Sequence, residues 1–317
     1  MEPFLIQSFN RQCLHPRTPP RDWAARFLNY FCEPKVRYSP TDPAFCSISF
    51  GSKINGDPTV LNLEAIFSVP VLKTLFLRAQ NPAILCDFYT NFLGMSRFDS
   101  ACVGYNRNET NLCFLPAKAP YAPNPNDLYW KIAIAVPNIE LACRQLAEKG
   151  VAIQSPKQFQ DIGYLAHFKD PEGFTIELIE HWFQGNRPPQ HWDQQRLGGG
   201  PHLNLITLRT AQIKPIQTGC AKLGMKPLAV QPVENYGFTL YFFAFTDESP
   251  PSKDLTALVN REWLYQRPYS VLEVQHIHRL ATVLPPTPGR AGYDHLLVTG
   301  TNPNLAVKQL RLRTPTK

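Results

Sequence analysis

The residues with the means to do chemistry are few and scattered. Glu273 and Gln275 alternate along YSVLEVQ, so on a strand they share a face with Val271. By the same rule His295 shares a face with Tyr293 and Leu297 in GYDHLLV. If both faces turn inward, a carboxylate and an imidazole are costly to bury unless they meet each other, an ion or a ligand. A metal held by Glu273 and His295 would meet that need, and so would a plain hydrogen-bonded pair. His276 and His278 lie two apart on the opposite face from Glu273. A His-x-His pair suits a metal, but the end of a strand is commonly polar and exposed, and that is the expectation here. His181, His191 and His202 flank a central linker and read as loop residues. Tyr241, Phe242, Phe243 and Phe245 read as core on both faces of a strand, or as the lining of an apolar cup. There is no GxSxG, no HExxH and no phosphate-binding GxxxxGK[ST].

The elements that must position these residues come from a chain of 317 residues, 44% hydrophobic and 18% charged, which is long enough for two domains and apolar enough for a core. No apolar run is long enough to span a membrane, and MEPFLIQSFNRQ lacks the basic and apolar regions of a secretory signal. A cytoplasmic protein is the expectation. The net charge of +7 is spread along the chain without a basic patch, so no nucleic-acid partner is expected and a small molecule is. The eight cysteines contain no CxxC pair, which argues against a zinc ribbon and for reduced, buried thiols.

An internal repeat sets the architecture. VLKTLFLRA at 71–79 reads as a strand, followed by a helix in NPAILCDFYTNFLGM that stops at Gly94, then by strands to about Pro116. WKIAIAV, NIELACRQLAEKG and strands ending in FTIELI repeat the pattern from Tyr129, with DPEG at 170–173 as a turn. LNLITLR, IKPIQTGCAKLGM, GFTLYFFAF and YSVLEVQ repeat it again from Pro201, and YDHLLVTG with NPNLAVKQLRL opens a fourth copy. Each unit has one apolar sheet face and must pair to bury it. The predicted class is α+β, with tandem βαβββ modules pairing into cup-shaped mixed sheets. The expected division is an N-terminal segment at 1–70 that is a partial module or an unrelated cap, a first paired domain at 71–183, a linker at 184–200 and a second domain at 201–317. AFCSISFGS and TVLNLEAIF in the first segment read as strands that could complete the fourth unit.

LRAQNPAILCDFYTNFLGM, WKIAIAVPNIELACRQLAEKGVAI with DPEGFTIELIE, and GFTLYFFAFTDE with YSVLEVQH and GYDHLLV resemble the vicinal oxygen chelate superfamily of glyoxalase I, bleomycin-resistance proteins and extradiol dioxygenases. The resemblance covers about residues 71–182 and 201–310. It implies paired modules around a divalent ion (Zn, Ni, Fe or Mn) that polarises substrate oxygens. In the first pair the ligand positions align with Thr74, Lys131, the region of Cys113, and Glu177. A lysine beside one carboxylate is a poor divalent site, so Lys131 and Glu177 read either as a metal-free ion pair in the cup that touches an anionic ligand, or as a structural salt bridge or two groups that never meet. In the second pair Glu273 and His295 align with metal ligands, Glu273 also as the catalytic carboxylate, and Arg209 with a substrate-binding arginine. Leu205 stands where another ligand belongs, leaving a further ligand to Gln275, the N-terminal strands or a second subunit of a homodimer. The resemblance therefore implies either a metal-dependent lyase, isomerase or dioxygenase of a small oxygenated substrate, or a binding or structural protein that has lost its metal sites.

Overall fold

In the computed structural model, residues 70–299 are described, together with the backbone of three earlier strands. Those strands, β1 (Lys35–Tyr38), β2 (Cys46–Phe50) and β3 (Thr59–Leu61), form an antiparallel sheet in that order. Two of them fall in AFCSISFGS and TVLNLEAIF, as read. The idea that they complete the fourth unit, and the helix expected over residues 302–312, lie outside the described residues.

Residues 71–298 make one compact α+β unit, as the predicted class requires. Its first module is β4 (Val71–Ala79), helix α1 (Pro82–Asn91), β5 (Ser96–Arg97), β6 (Cys102–Gly104) and β7 (Asn111–Pro116). The second is β8 (Tyr129–Val136), α2 (Ile139–Glu148), β9 (Lys157–Phe159), β10 (Gly163–Lys169) and β11 (Thr175–Glu180). The third is β12 (His202–Thr210), α3 (Ile213–Leu223), β13 (Lys226–Val233), β14 (Phe238–Ala244), an inserted helix α4 (Val259–Tyr265) and β15 (Val271–Ile277). β16 (Gly292–Thr299) opens the fourth. Local chemistry sets the helix ends. Pro82 begins α1, the Asn138 side chain accepts from Leu141 N at 2.9 Å to cap α2, and the Gly224 of the second Leu-Gly-Met takes a φ of +85° to stop α3.

The modules pair differently from the expectation. An eight-stranded sheet runs β13-β14-β15-β12-β8-β11-β10-β9, joining the second module to the third through antiparallel β12 and β8. The first module's strands form a separate five-stranded sheet in which β16 lies beside β4. The expected 71–183 pair is therefore split: residues 129–180 close on 202–277, and the first module takes the opening strand of the fourth. Each apolar face needs a partner, but the repeat does not specify which module supplies it. Nor is 184–200 a free linker. The Gln145 amide donates to Gln194 O and Arg196 O and its oxygen accepts from Gly198 N. Gly198 itself has a φ of +56°, and a Cβ there would lie 2.7 Å from Val136 and 2.9 Å from Asn138 O.

Ile132, Ile134, Ile176, Leu178, Ile206, Leu208, Leu272 and Val274 give the eight-stranded sheet one fully buried apolar face. Each such side chain contributes about 1.5–3 kcal/mol. The opposite face curls into the cup. Among the cysteines, Cys86, Cys143 and Cys220 are buried free thiols, as expected, but Cys102 and Cys113 are register partners on β6 and β7 and are joined as a disulfide. No described helix is long and apolar enough to cross a membrane.

Candidate functional site

The register of the central strands lines up a polar row across the cup. Glu273 on β15 is the register partner of Thr207 on β12, and Thr207 is the partner of Lys131 on β8. On the far side of β8, Thr175 pairs with Lys131, which puts Glu177 two residues along on the same face of β11, opposite His167 of β10. Side chains from five strands belonging to two modules thus meet at one level. Lys131 Nζ donates to Glu177 Oε1 at 2.8 Å and to Glu273 Oε2 at 3.0 Å. Glu273 Oε2 also accepts from the Thr207 hydroxyl. His167 Nε2 lies 2.8 Å from Glu177 Oε2, close enough for an ion pair though not aligned as a hydrogen bond.

All three charged partners are buried, with side-chain exposures of 2% for Lys131, 5% for Glu177 and 3% for Glu273. Burial acts to raise the Glu177 carboxyl, but the Lys131 ammonium and His167 overcome it and hold the group at about 2. Burial likewise acts to lower the Lys131 ammonium, and the two carboxylates more than reverse it, leaving its pKa raised. The row thus sets the Lys131 ammonium between the side chains of Glu177 and Glu273.

A bulge brings an aromatic ring to the same place. Lys131 pairs with Thr207 but Leu208 pairs with Tyr129, so Trp130 has no counterpart on β12. Its ring lies 4.9 Å from Lys131 Nζ and 5.1 Å from the Arg209 guanidinium. Arg209 Nε donates to Gln275 Oε1 at 3.0 Å and Nη1 to Asn124 O at 3.3 Å, so the arginine fixes the Gln275 amide.

Above this floor is a cavity of about 370 Å³ with mainly apolar walls, among them Ile162, Leu165, Ile179, Leu205 and Leu240. Phe159, Tyr236 and Phe238 stand toward its mouth, Phe159 and Tyr236 edge-to-face at 5.1 Å. Helix α4 closes one side: Tyr265 donates to Ile162 O at 2.8 Å and accepts from Gln231 Nε2 at 3.3 Å.

The structure therefore brings Lys131, Glu177 and Glu273 together, with Arg209 one residue away through Gln275. It does not bring His295 to Glu273. His295 is on β16 in the other sheet, stacked on Phe76 at 4.2 Å, with Nδ1 2.6 Å from Asp294 Oδ2. Asp294 in turn accepts from Arg78 Nε at 2.6 Å. The expected Glu273–His295 metal pair fails because the third module closes on the second and not on the fourth. Thr74 is buried on β4, in that same other sheet, and Cys113 is in its disulfide. His276 and His278 are at the end of β15 and partly exposed, His278 Nε2 being 2.9 Å from Thr239 Oγ1. Sequence reasoning missed His167, Thr207 and Trp130. His167 was within reach: a hairpin turning on Asp170–Gly173 sets residue 167 opposite residue 177.

A divalent ion does not fit this donor set. Both carboxylates aim at the ammonium, whose charge would oppose a divalent ion 4 Å away by about 8 kcal/mol at an effective dielectric of 20. Among the described residues no group of three or more His, Cys, Asp or Glu is disposed to hold a metal.

Residues 71–178 match the family model of the Glyoxalase/Bleomycin resistance protein/Dioxygenase superfamily. A lactoylglutathione lyase of Schizosaccharomyces pombe is 25% identical over 197 residues, 51% of this chain, which thereby spans 62% of that relative. Glyoxalase I of Zea mays superposes with a TM-score of 0.49 at 18% identity, covering 72% of this chain and 74% of that one. The antibiotic-binding protein TnmS3 of Streptomyces sp. CB03234 is similar over 34% of this chain and 93% of its own, with 21% identity and a TM-score of 0.29. Through residues 71–178 the chain carries a domain of the glyoxalase/bleomycin resistance protein/dioxygenase superfamily.

Proposed function

We propose that the cup between residues 129–180 and 202–277 is a metal-free binding site for a small apolar molecule. The observation that carries this reading is the Lys131 ammonium held between Glu177 and Glu273 at 2.8 and 3.0 Å. A metal-dependent lyase or dioxygenase would need a divalent ion among those carboxylates, and a tethered cation already stands between them. Lys131, Glu177 and Glu273 serve as the floor of the site, Arg209 positions Gln275 beside them, and the apolar walls supply the driving force for a ligand.

The test has two arms, both on the full chain. Equilibrium dialysis against Zn²⁺ or Ni²⁺, with and without Glu273→Gln, is expected to show no metal that depends on Glu273. Stoichiometric uptake abolished by Glu273→Gln would refute the reading. Nile red, a neutral apolar dye, is expected to bind with one site per chain and to be displaced when Leu240→Glu puts a charge in the wall. Binding indifferent to that change would place the dye elsewhere and refute the cup.

A further inference from the structure

The hydrogen bonding of the floor is lopsided in a way that specifies a ligand. Glu273 is 2% exposed, and both of its described bonds, from Lys131 and from Thr207, fall on Oε2. Among the described residues nothing donates to Oε1, which belongs to a residue lining the cup. Gln275, two residues along on the same face and 5% exposed, spends its Oε1 on Arg209. That bond fixes the orientation of its amide and turns Nε2 into an unused donor, again on a residue lining the cup. Both atoms belong to deeply seated residues and have no protein partner among the described residues, so they are answered only by what enters the cup, water or a ligand head with matching groups.

The charges around the floor decide what can answer. Lys131, Glu177 and Glu273 sum to one negative charge, and His167, which also lines the cup, is turned to Glu177. Arg209 stands behind Trp130 and is engaged with Gln275, and Lys157 is exposed at the rim, where solvent screens it. A carboxylate or phosphate head would meet Glu273 Oε1 with no proton to offer. A hydroxyl donates to Oε1 while accepting from Gln275 Nε2, and an ammonium donates to Oε1 and balances the floor's charge.

We infer that the cup selects an apolar, ring-sized molecule ending in a hydrogen-bond donor, a hydroxyl or an amine, seated on Glu273 Oε1 beside the Gln275 amide, and that it discriminates against the same molecule ending in an anion. This rests on the cup being the ligand site, so the experiment separates the two ideas. Four probes with one apolar body are titrated into the full-length protein and followed by calorimetry: 2-naphthylmethanol, 2-naphthylmethylamine, 2-methylnaphthalene and 2-naphthoate. The alcohol and the amine are expected to bind roughly ten-fold tighter than methylnaphthalene, the return on a hydrogen bond to a buried charged acceptor, and naphthoate weakest of all. Glu273→Met leaves Lys131 with Glu177 as its counter-ion and is expected to bring the amine to the affinity of methylnaphthalene and to weaken the alcohol, which keeps its bond from the Gln275 amide. Gln275→Leu spares the ionic row and is expected to weaken the alcohol, which accepts from the amide, while leaving the amine unchanged.

Naphthoate as the tightest ligand would overturn the donor-head inference while leaving the cup as a binding site. Failure of all four probes, methylnaphthalene included, would overturn the cup itself. Binding of the alcohol and amine untouched by both substitutions would place the ligand away from Glu273 and refute the inference.

Discussion

Replacing Lys131 with methionine is the most informative perturbation, because it removes the cation and keeps most of the volume. Glu177 and Glu273, with side-chain exposures of 5% and 3%, then face each other without the ammonium they share. Breaking a buried ion pair from one side costs about 3–5 kcal/mol. The Glu177 carboxyl points the same way, since against the effect of burial the ammonium and His167 hold it well below the ordinary carboxylate range. The sign of the acid dependence must also invert. In the wild type a depressed carboxyl contributes stability that is fully present above the unfolded value and is lost as pH falls towards 2. In Lys131→Met, burial of Glu177 is no longer opposed by the ammonium and its carboxyl rises, so the variant's penalty shrinks as pH falls below 7 and that group takes up a proton. Urea unfolding followed by tryptophan fluorescence at several pH values between 7 and 3 reads both effects. A loss under about 1 kcal/mol at pH 7, the range of exposed pairs, or an acid limb parallel to the wild type, would show that the row is not a tightly coupled buried network.

Three further outcomes are expected. Tyr265→Phe should cost about 1–2 kcal/mol by stripping Ile162 O and Gln231 of their partner, and an unchanged unfolding midpoint would count against α4 as a fixed wall. Burial, and then His202, holds His181 down to about 3, and burial holds His202 down to about 4; the stability of keeping them neutral is present above pH 6.5 and lost as pH falls through those values. Titration of their ring resonances should therefore show no midpoint above pH 5, and an ordinary midpoint near 6.5 would refute that environment. Reducing the Cys102–Cys113 disulfide, or replacing Cys102 with serine, should cost about 3 kcal/mol for a loop of that size, and two free thiols titrating there in the untreated protein would contradict the bond.

The alternation of apolar residues was enough to place β4, β8, β12 and β16 near the observed residues, and Gly94 and Gly224 mark helix ends as read. Those features are local: a strand's period and a helix's stop depend on a few neighbouring residues. The partnership of modules is not local, since any apolar face satisfies any other, and this is why Glu273 was matched with His295 and is found with Lys131. Trp130 was hidden for a related reason. A bulge exists only between two strands, so the shift between Thr207 and Leu208 leaves no mark on β8 alone. The ion pair of Lys131 with Glu177 is one of the arrangements the sequence leaves open, and it is within reach because both residues lie in one module.

The row from Glu273 through Thr207 to Lys131 also decides which halves can mate. Residues 129–180 bring a cation already balanced by Glu177, whereas residues 202–277 bring a buried anion with no counter-charge of their own. Two copies of the later half joined along β12 would set glutamate against glutamate, and two copies of the earlier half would set lysine against lysine. The union found here gives the Glu273 anion the Lys131 cation that residues 202–277 lack, so the row disfavours two later halves joined to each other.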